Sequence, residues 1–307
     1  MTVHIPILVE PIVQALVEPL LKLPDSAPPH WIIDCTLGGG GHTGSLLQKM
    51  AEDPRLKRHH VLSMDQDSAA IASAQERFRT ELSEGRLELA HCRISETLPI
   101  IGGRPVLGLM ADLGFSSDQL EDSSRGLSFQ AEGPLDMRLD PSRGMSAYEY
   151  LAQVSEEDLV KIIQEYGEER FTRRIAHAII SARRDRVLPK TSKELADLIV
   201  RAVPPPARRQ RIHAATRTFQ AIRIAVNQEL EELDYLLGHV ILLVKPGGRV
   251  AILSFHSLED RKVKLVFKDR DSAFQSLSKK PVVADEKEIA RNPRSRSAKL
   301  RIAERLP

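Results

Sequence analysis

The first third of the chain alternates short apolar runs with stretches whose apolar residues recur every three or four positions. Residues 32–36 (IIDCT) predict a buried strand that runs into Gly38-Gly39-Gly40-Gly41. A helix is predicted over 43–51 and a second strand over 61–64, ending at Asp65. A helix over 68–82 follows, with Ser68 as its N-cap. A third strand is predicted over 87–92 and a fourth over 106–111, ending at Asp112. Strand and helix in alternation predict a parallel sheet with helices on both faces.

The pattern changes at Phe115. Residues 115–143 show little periodicity and many Gly, Ser and Asp, which predicts a long loop of the kind that is functional or disordered. Helical periodicity then dominates. Ser155 stands three residues before Asp158, as in a capping box, and opens a helix over 156–166. Further helices are predicted over 171–184 and 191–203, the last stopped by Pro204-Pro205-Pro206. The α/β pattern then resumes. Ile222, Val226, Leu230, Leu233, Leu237 and Ile241 predict one long amphipathic helix, ended by Lys245-Pro246-Gly247-Gly248. A fifth strand is predicted over 249–255, a helix over 258–267 and a last strand over 298–305. The fold class expected is α/β and Rossmann-like. One domain comprises 1–114 and 219–307, and residues 115–218 form an inserted, mainly helical subdomain.

Composition narrows the choice little. Of 307 residues, 42% are hydrophobic and 28% charged, which excludes a disordered or collagenous chain. Lys and Arg number 44 against 42 acids, so a basic binding surface must come from local clustering. Such clusters exist. Arg208, Arg209, Arg211 and Arg217 lie in a stretch without acids, with Arg170, Arg173, Arg174, Arg183, Arg184 and Arg186 before them. Arg291, Arg294, Arg296, Lys299 and Arg301 cluster near the end. Arginine suits bidentate phosphate contact, so these stretches read as an RNA track. Two cysteines, Cys35 and Cys92, make no disulfide scaffold and no zinc motif, and a reducing, cytoplasmic home is expected. The first residues read as neither signal peptide nor membrane span, so no membrane partner is expected.

The strongest local signal is the glycine turn followed by His42. Glycines between a strand and a helix let the backbone approach a ligand closely, above free N–H groups. Asp65 ends the second strand, where an acid binds ribose hydroxyls in nucleotide-type sites, and Asp112 ends the fourth. With Asp34 they ring the turn with acids. An acid-ringed pocket suits S-adenosylmethionine better than a bare pyrophosphate, although a nicotinamide dehydrogenase shares the same turn. Asp112 is the best-placed proton acceptor for an attacking amine, Phe115 is placed to stack on a base, and His256 follows the fifth strand at the same edge.

Longer blocks carry a resemblance. They include His4-Ile5-Pro6-Ile7-Leu8, the glycine turn, Asp112-Leu113-Gly114-Phe115-Ser116-Ser117 and Arg125-Gly126-Leu127-Ser128-Phe129. Gly133-Pro134-Leu135-Asp136-Met137-Arg138, Tyr166-Gly167-Glu168-Glu169-Arg170-Phe171 and Ala215-Thr216-Arg217-Thr218-Phe219-Gln220-Ala221 follow. The last are Ser254-Phe255-His256-Ser257-Leu258-Glu259-Asp260-Arg261 and Asn292-Pro293-Arg294-Ser295-Arg296-Ser297. In these blocks the chain resembles the MraW/RsmH family of bacterial 16S rRNA cytosine-N4 methyltransferases over nearly its whole length. The resemblance implies a class I fold, S-adenosylmethionine as cofactor and a cytidine in the decoding region of 16S rRNA, or of the small subunit, as substrate. It implies cofactor contacts at Gly40, Gly41, His42, Asp65, Asp112 and Gln119. Ile94 stands where the family commonly has Phe, and Asp118 where Pro is common. The residues left two rivals, an NAD-dependent oxidoreductase and a non-catalytic RNA-binding assembly factor, and left a homodimer open. No metal is expected.

Overall fold

Runs such as Val61-Leu62 hide their side chains only if both faces of the strand are covered, which a parallel sheet between helices provides. The computed structural model, which describes residues 6–130, 132–209, 212–269 and 273–307, has this architecture. Its strands are β1 (Trp31–Asp34), β2 (His60–Asp65), β3 (Leu87–His91), β4 (Val106–Asp112), β5 (Arg249–Ser254), β6 (Phe274–Ser276) and β7 (Lys299–Arg305). They form one sheet in the order β3-β2-β1-β4-β5-β7-β6. The first five strands run parallel, and β7 is antiparallel to both neighbours. The dinucleotide fold has order 3-2-1-4-5-6. The antiparallel strand slotted beside β5 distinguishes this sheet from it and is the class I methyltransferase arrangement.

The chain divides into two compact units, Met1–Gly114 with Leu230–Pro307, and Phe115–Glu229. In the first, one face of the sheet is covered by helices Val9–Leu21, Gly41–Glu52 and Ser68–Arg77, which bury Leu16, Leu46 and Ile71 against it. The other face packs Leu236, Val240 and Val263 of helices Glu229–Leu243 and Ser257–Lys268. The second unit has its own core, with Leu159, Ile179, Leu195 and Phe219 at its centre.

Several expectations need correction. The long helix predicted through 222–241 is two, Thr216–Asn227 and Glu229–Leu243, broken at Gln228 with φ +54°. Asn227 causes the break to fall here. Its buried amide donates to Met137 O at 2.8 Å and accepts from Leu139 N at 2.7 Å, so the helix end is tied to the loop. Helix Thr216–Asn227 therefore belongs to the inserted unit, and the boundary lies after Glu229 rather than at 218/219. Asp67, not Ser68, caps the helix Ser68–Arg77, its side chain accepting from Ala69 N. The loop after Phe115 contains a short helix, Ser117–Glu121. Ser155 caps its helix as expected.

Gly167 shows how tightly the inserted unit is closed. A Cβ there would meet Arg217 O at 2.6 Å and Ile163 O at 2.7 Å, both main-chain atoms that cannot swing away. Gly167→Ala is expected to cost about 1–3 kcal/mol, the usual price of overpacking. Denaturant unfolding would detect it, and an unchanged midpoint would contradict this packing.

Candidate active site

The first unit gathers its polar residues at the carboxyl ends of β1, β2, β4 and β5. Register places them there, since Asp65 pairs with His91 and Asp112 with Leu253. The glycine turn is held from several sides. Leu37 N donates to Met64 O at 2.8 Å and Gly38 N to Asp65 Oδ2 at 2.7 Å. Gly40 has φ +72°, and a Cβ on it would meet the Phe78 ring at 2.8 Å. Helix Gly41–Glu52 therefore starts with its N–H groups beside the turn.

The acids separate into two roles. Asp34 is buried and turned inward, accepting from Thr36 N at 3.1 Å and Thr43 Oγ1 at 2.7 Å. It braces the turn and is not part of an open acid ring. Asp65 accepts from Gly38 N and, at 2.8 Å, from Asp67 N, while burial pushes its carboxyl up to about 6 against those hydrogen bonds. Asp112 has 18% of its side chain exposed. Its main-chain N–H donates to Thr36 Oγ1 at 2.6 Å. Burial pushes its carboxyl up to about 6 as well, opposed by His42. A carboxyl near 6 is mostly ionised at neutral pH yet can take a proton, as a general base requires.

His42 is buried, its side chain 5% exposed. Its Nε2 donates to Ile7 O at 2.9 Å, which aims Nδ1 at Asp112 Oδ2, 3.7 Å away. Pro6 lies against Gly41, where a Cβ would meet it at 2.8 Å. Residues 6–8 thus form a strap over the turn, fastened at Leu8 N by Glu288 Oε1 at 2.7 Å. His256 follows β5. Its Nε2 lies 3.1 Å from Glu259 Oε1, and Glu259 Oε2 accepts from Phe255 N at 2.9 Å. The buried Glu259 was not singled out in the sequence, although its place three residues after His256 is the signature of a capping box. Ile94 opens a short 3-10 turn, Ile94–Glu96, pinned where Ser95 N donates to Glu232 Oε2 at 2.7 Å. Cys35 and Cys92 are buried, and burial raises the Cys35 thiol, so it stays protonated.

One edge of the first unit thus brings together Gly40, Gly41, His42, Asp65, Asp112 and His256. Apart from Ile94, which is also in the first unit, the remaining candidates belong to the second unit. Gln119 caps its short helix, its Oε1 accepting from Ser116 N at 2.9 Å. Arg223 lies over the Phe115 ring, 4.6 Å from the centroid, and is itself held by Glu229 at 2.7 Å. Arg208 is partly committed, donating to Val203 O and Arg201 O at 3.1 Å. His4, Ile5 and Arg211 lie outside the described residues, as does the side chain of Arg209. Among the described residues no helix is long and apolar enough to cross a membrane.

The strand order, the glycine turn and the acids at the strand ends define a class I methyltransferase, whose methyl donor is S-adenosylmethionine. The chain matches the MraW methylase family over residues 1–306 and belongs to it. A relative from a Synechococcus species named "Ribosomal RNA small subunit methyltransferase H" is 49% identical, over 89% of this chain and 85% of its own. One of the same name from Synechococcus elongatus is 44% identical, over 99% and 95%. A third, from a Geobacter species, is 41% identical, over 99% and 98%. Among solved structures, an rRNA methylase from Streptococcus thermophilus aligns with 97% of this chain and 94% of its own at 11% identity, with a TM-score of 0.39. Membership of a methylase family removes the oxidoreductase reading.

Proposed function

We propose that this methyltransferase acts on 16S rRNA in the small ribosomal subunit, methylating N4 of a cytidine in the decoding region. The observation that carries the chemistry is Asp112, a partly exposed carboxyl near 6 beside the glycine turn. The RNA substrate is supported by the names of the relatives and by the arginines of the second unit.

The residues present fit the cofactor. Gly40 and Gly41 let the turn pack closely against Phe78 and Pro6, which fixes the N–H groups of helix Gly41–Glu52 beside the strand ends where a ligand would sit. Asp65, at the end of β2, is the acceptor for ribose hydroxyls. Ile94, Gln119 and the main chain of His42 are the further contacts proposed. When bound, S-adenosylmethionine supplies an activated methyl group. Asp112 accepts an N–H of the target amine, holds it in line and takes its proton. His42, fixed by Ile7, keeps a ring nitrogen facing that carboxylate. His256, anchored by Glu259, is a proposed base or phosphate contact at the same edge. An exocyclic amine needs no covalent intermediate, and the buried cysteines offer no nucleophile for one. Phe115 is proposed to stack on the base, with Arg208, Arg209 and Arg211 as phosphate contacts.

The test is transfer of a radiolabelled methyl group to small subunits isolated from cells lacking this enzyme. Label is expected in their 16S rRNA and not in fully modified subunits. Equal labelling of both, or none, would refute the assignment.

A further inference from the structure

Three of the recurring sequence blocks find no use at the glycine turn: those around Phe129, Arg170 and Arg217. All three lie in the second unit, and there they meet. Gln220 Nε2 donates to Tyr166 O at 2.9 Å, and Gly167 presses against Arg217 O. Phe129 packs edge-on to Phe219 with ring centroids 5.1 Å apart. A cleft opens at this junction, lined by Glu169, Arg170, Phe171, Ile212, His213 and Arg217 among others.

Its chemistry is specific. His213 is exposed, yet its ring is fixed. It stacks on Phe129 at 4.6 Å and 23°, and its Nδ1 accepts from Ala215 N at 3.2 Å. The rings Phe219, Phe129 and His213 thus run from the buried core to the surface. A flat ring already held in place loses little entropy when another ring stacks on it. Cations stand beside it. Arg170 is exposed. Arg217 lies 4.0 Å from Glu169, whose side chain is 7% exposed and also accepts from Phe171 N at 2.9 Å. One buried acid orients one arginine, and the cleft's charge remains positive. A stacking platform flanked by guanidinium groups is the chemistry that holds single-stranded nucleic acid.

We infer that this cleft is a nucleotide subsite, in which a base of single-stranded RNA stacks on His213 while Arg170 and Arg217 meet adjoining phosphates. The inference rests on the reading of RNA as the substrate and adds a contact for a nucleotide other than the one methylated.

The test uses the full chain and a short fluorescein-labelled single-stranded oligoribonucleotide, followed by anisotropy. His213→Ala is expected to weaken binding by about 10-fold, and His213→Phe, which keeps a ring, to stay within about 3-fold of wild type. Arg170→Gln is expected to lower the slope of log affinity against log salt by about 0.7, one phosphate's share on a single strand. All three variants should keep wild-type circular dichroism and wild-type affinity for S-adenosylmethionine. A folded His213→Ala protein that binds the oligonucleotide like wild type overturns the inference, and so does His213→Phe binding as weakly as His213→Ala. Methyl transfer by the same proteins separates the two readings. Wild type that binds through His213 but methylates no small subunit sinks the proposed function and leaves the subsite. A His213→Ala protein with unchanged KM and unchanged oligonucleotide affinity sinks the subsite and leaves the function. A raised KM for subunits with unchanged oligonucleotide affinity assigns the cleft to a ribosomal protein and overturns the RNA subsite.

Discussion

Replacing Asp112 by Asn is expected to lower kcat by about 100-fold or more at saturating S-adenosylmethionine, the size of a typical acid–base or electrostatic contribution. The N4 amine of cytosine is conjugated with its ring and is a weak nucleophile. Its lone pair becomes available as the nitrogen pyramidalises, and positive charge grows on it as the new C–N bond forms. A carboxylate accepting one N–H stabilises that charge and then takes the proton. Asn keeps the shape and an acceptor oxygen but loses the charge. The pH profile follows from the same group. Asp112 works ionised, and its carboxyl sits at about 6, so kcat should fall as pH drops through about 6. That limb should be absent from the Asn variant. If Asp112 only held the cofactor, excess S-adenosylmethionine would restore kcat and only the cofactor KM would rise. Full recovery would remove Asp112 from the chemistry.

The second large effect is expected at Asp65. Asp65→Ala should weaken S-adenosylmethionine binding by about 1–3 kcal/mol, since a charged acceptor of hydroxyl groups is lost. The structure adds a second route to the same loss. Asp65 also holds the N–H groups of Gly38 and Asp67, so the variant loosens the turn that receives the ligand. Part of the stability cost is returned. A buried carboxyl raised to about 6 from its ordinary 3.8 contributes less stability as pH rises through that window, and alanine removes that dependence. Calorimetric titration reads the affinity directly, and a variant that binds like wild type would exclude Asp65 from the cofactor site.

What the sequence made legible follows from where the information sits. Strands β1, β2, β4 and β5 are runs buried on both faces, so local hydrophobicity alone reveals them, whereas the edge strand β3 is only partly buried. The glycine turn and the acids at the ends of β2 and β4 are legible because a ligand site at a sheet edge is built from strand ends. The helix break at Gln228 is not, since Asn227 reaches Met137 and Leu139, far away in sequence, and the apolar period continues across it. Asp34 looked equivalent to Asp65 and Asp112, but it points at Thr43, a choice of partner made only in the folded chain. Arg208 illustrates the same limit. It reads as a free cation in an acid-free stretch, yet it donates to the carbonyls of Arg201 and Val203. A buried glutamate such as Glu259 is costly unless bonded, and the hydrogen bonds it accepts from the main-chain N–H groups of Phe255 and His256 explain why it is tolerated.

The most direct measurement is the identity of the modified nucleoside. Small subunits lacking the modification would be incubated with the protein and S-adenosylmethionine, and their 16S rRNA digested and analysed by mass spectrometry against synthetic standards. The chemistry assigned to Asp112 predicts N4-methylcytidine. A 5-methylcytidine, a 2′-O-methylated nucleoside or an unmodified digest would contradict it.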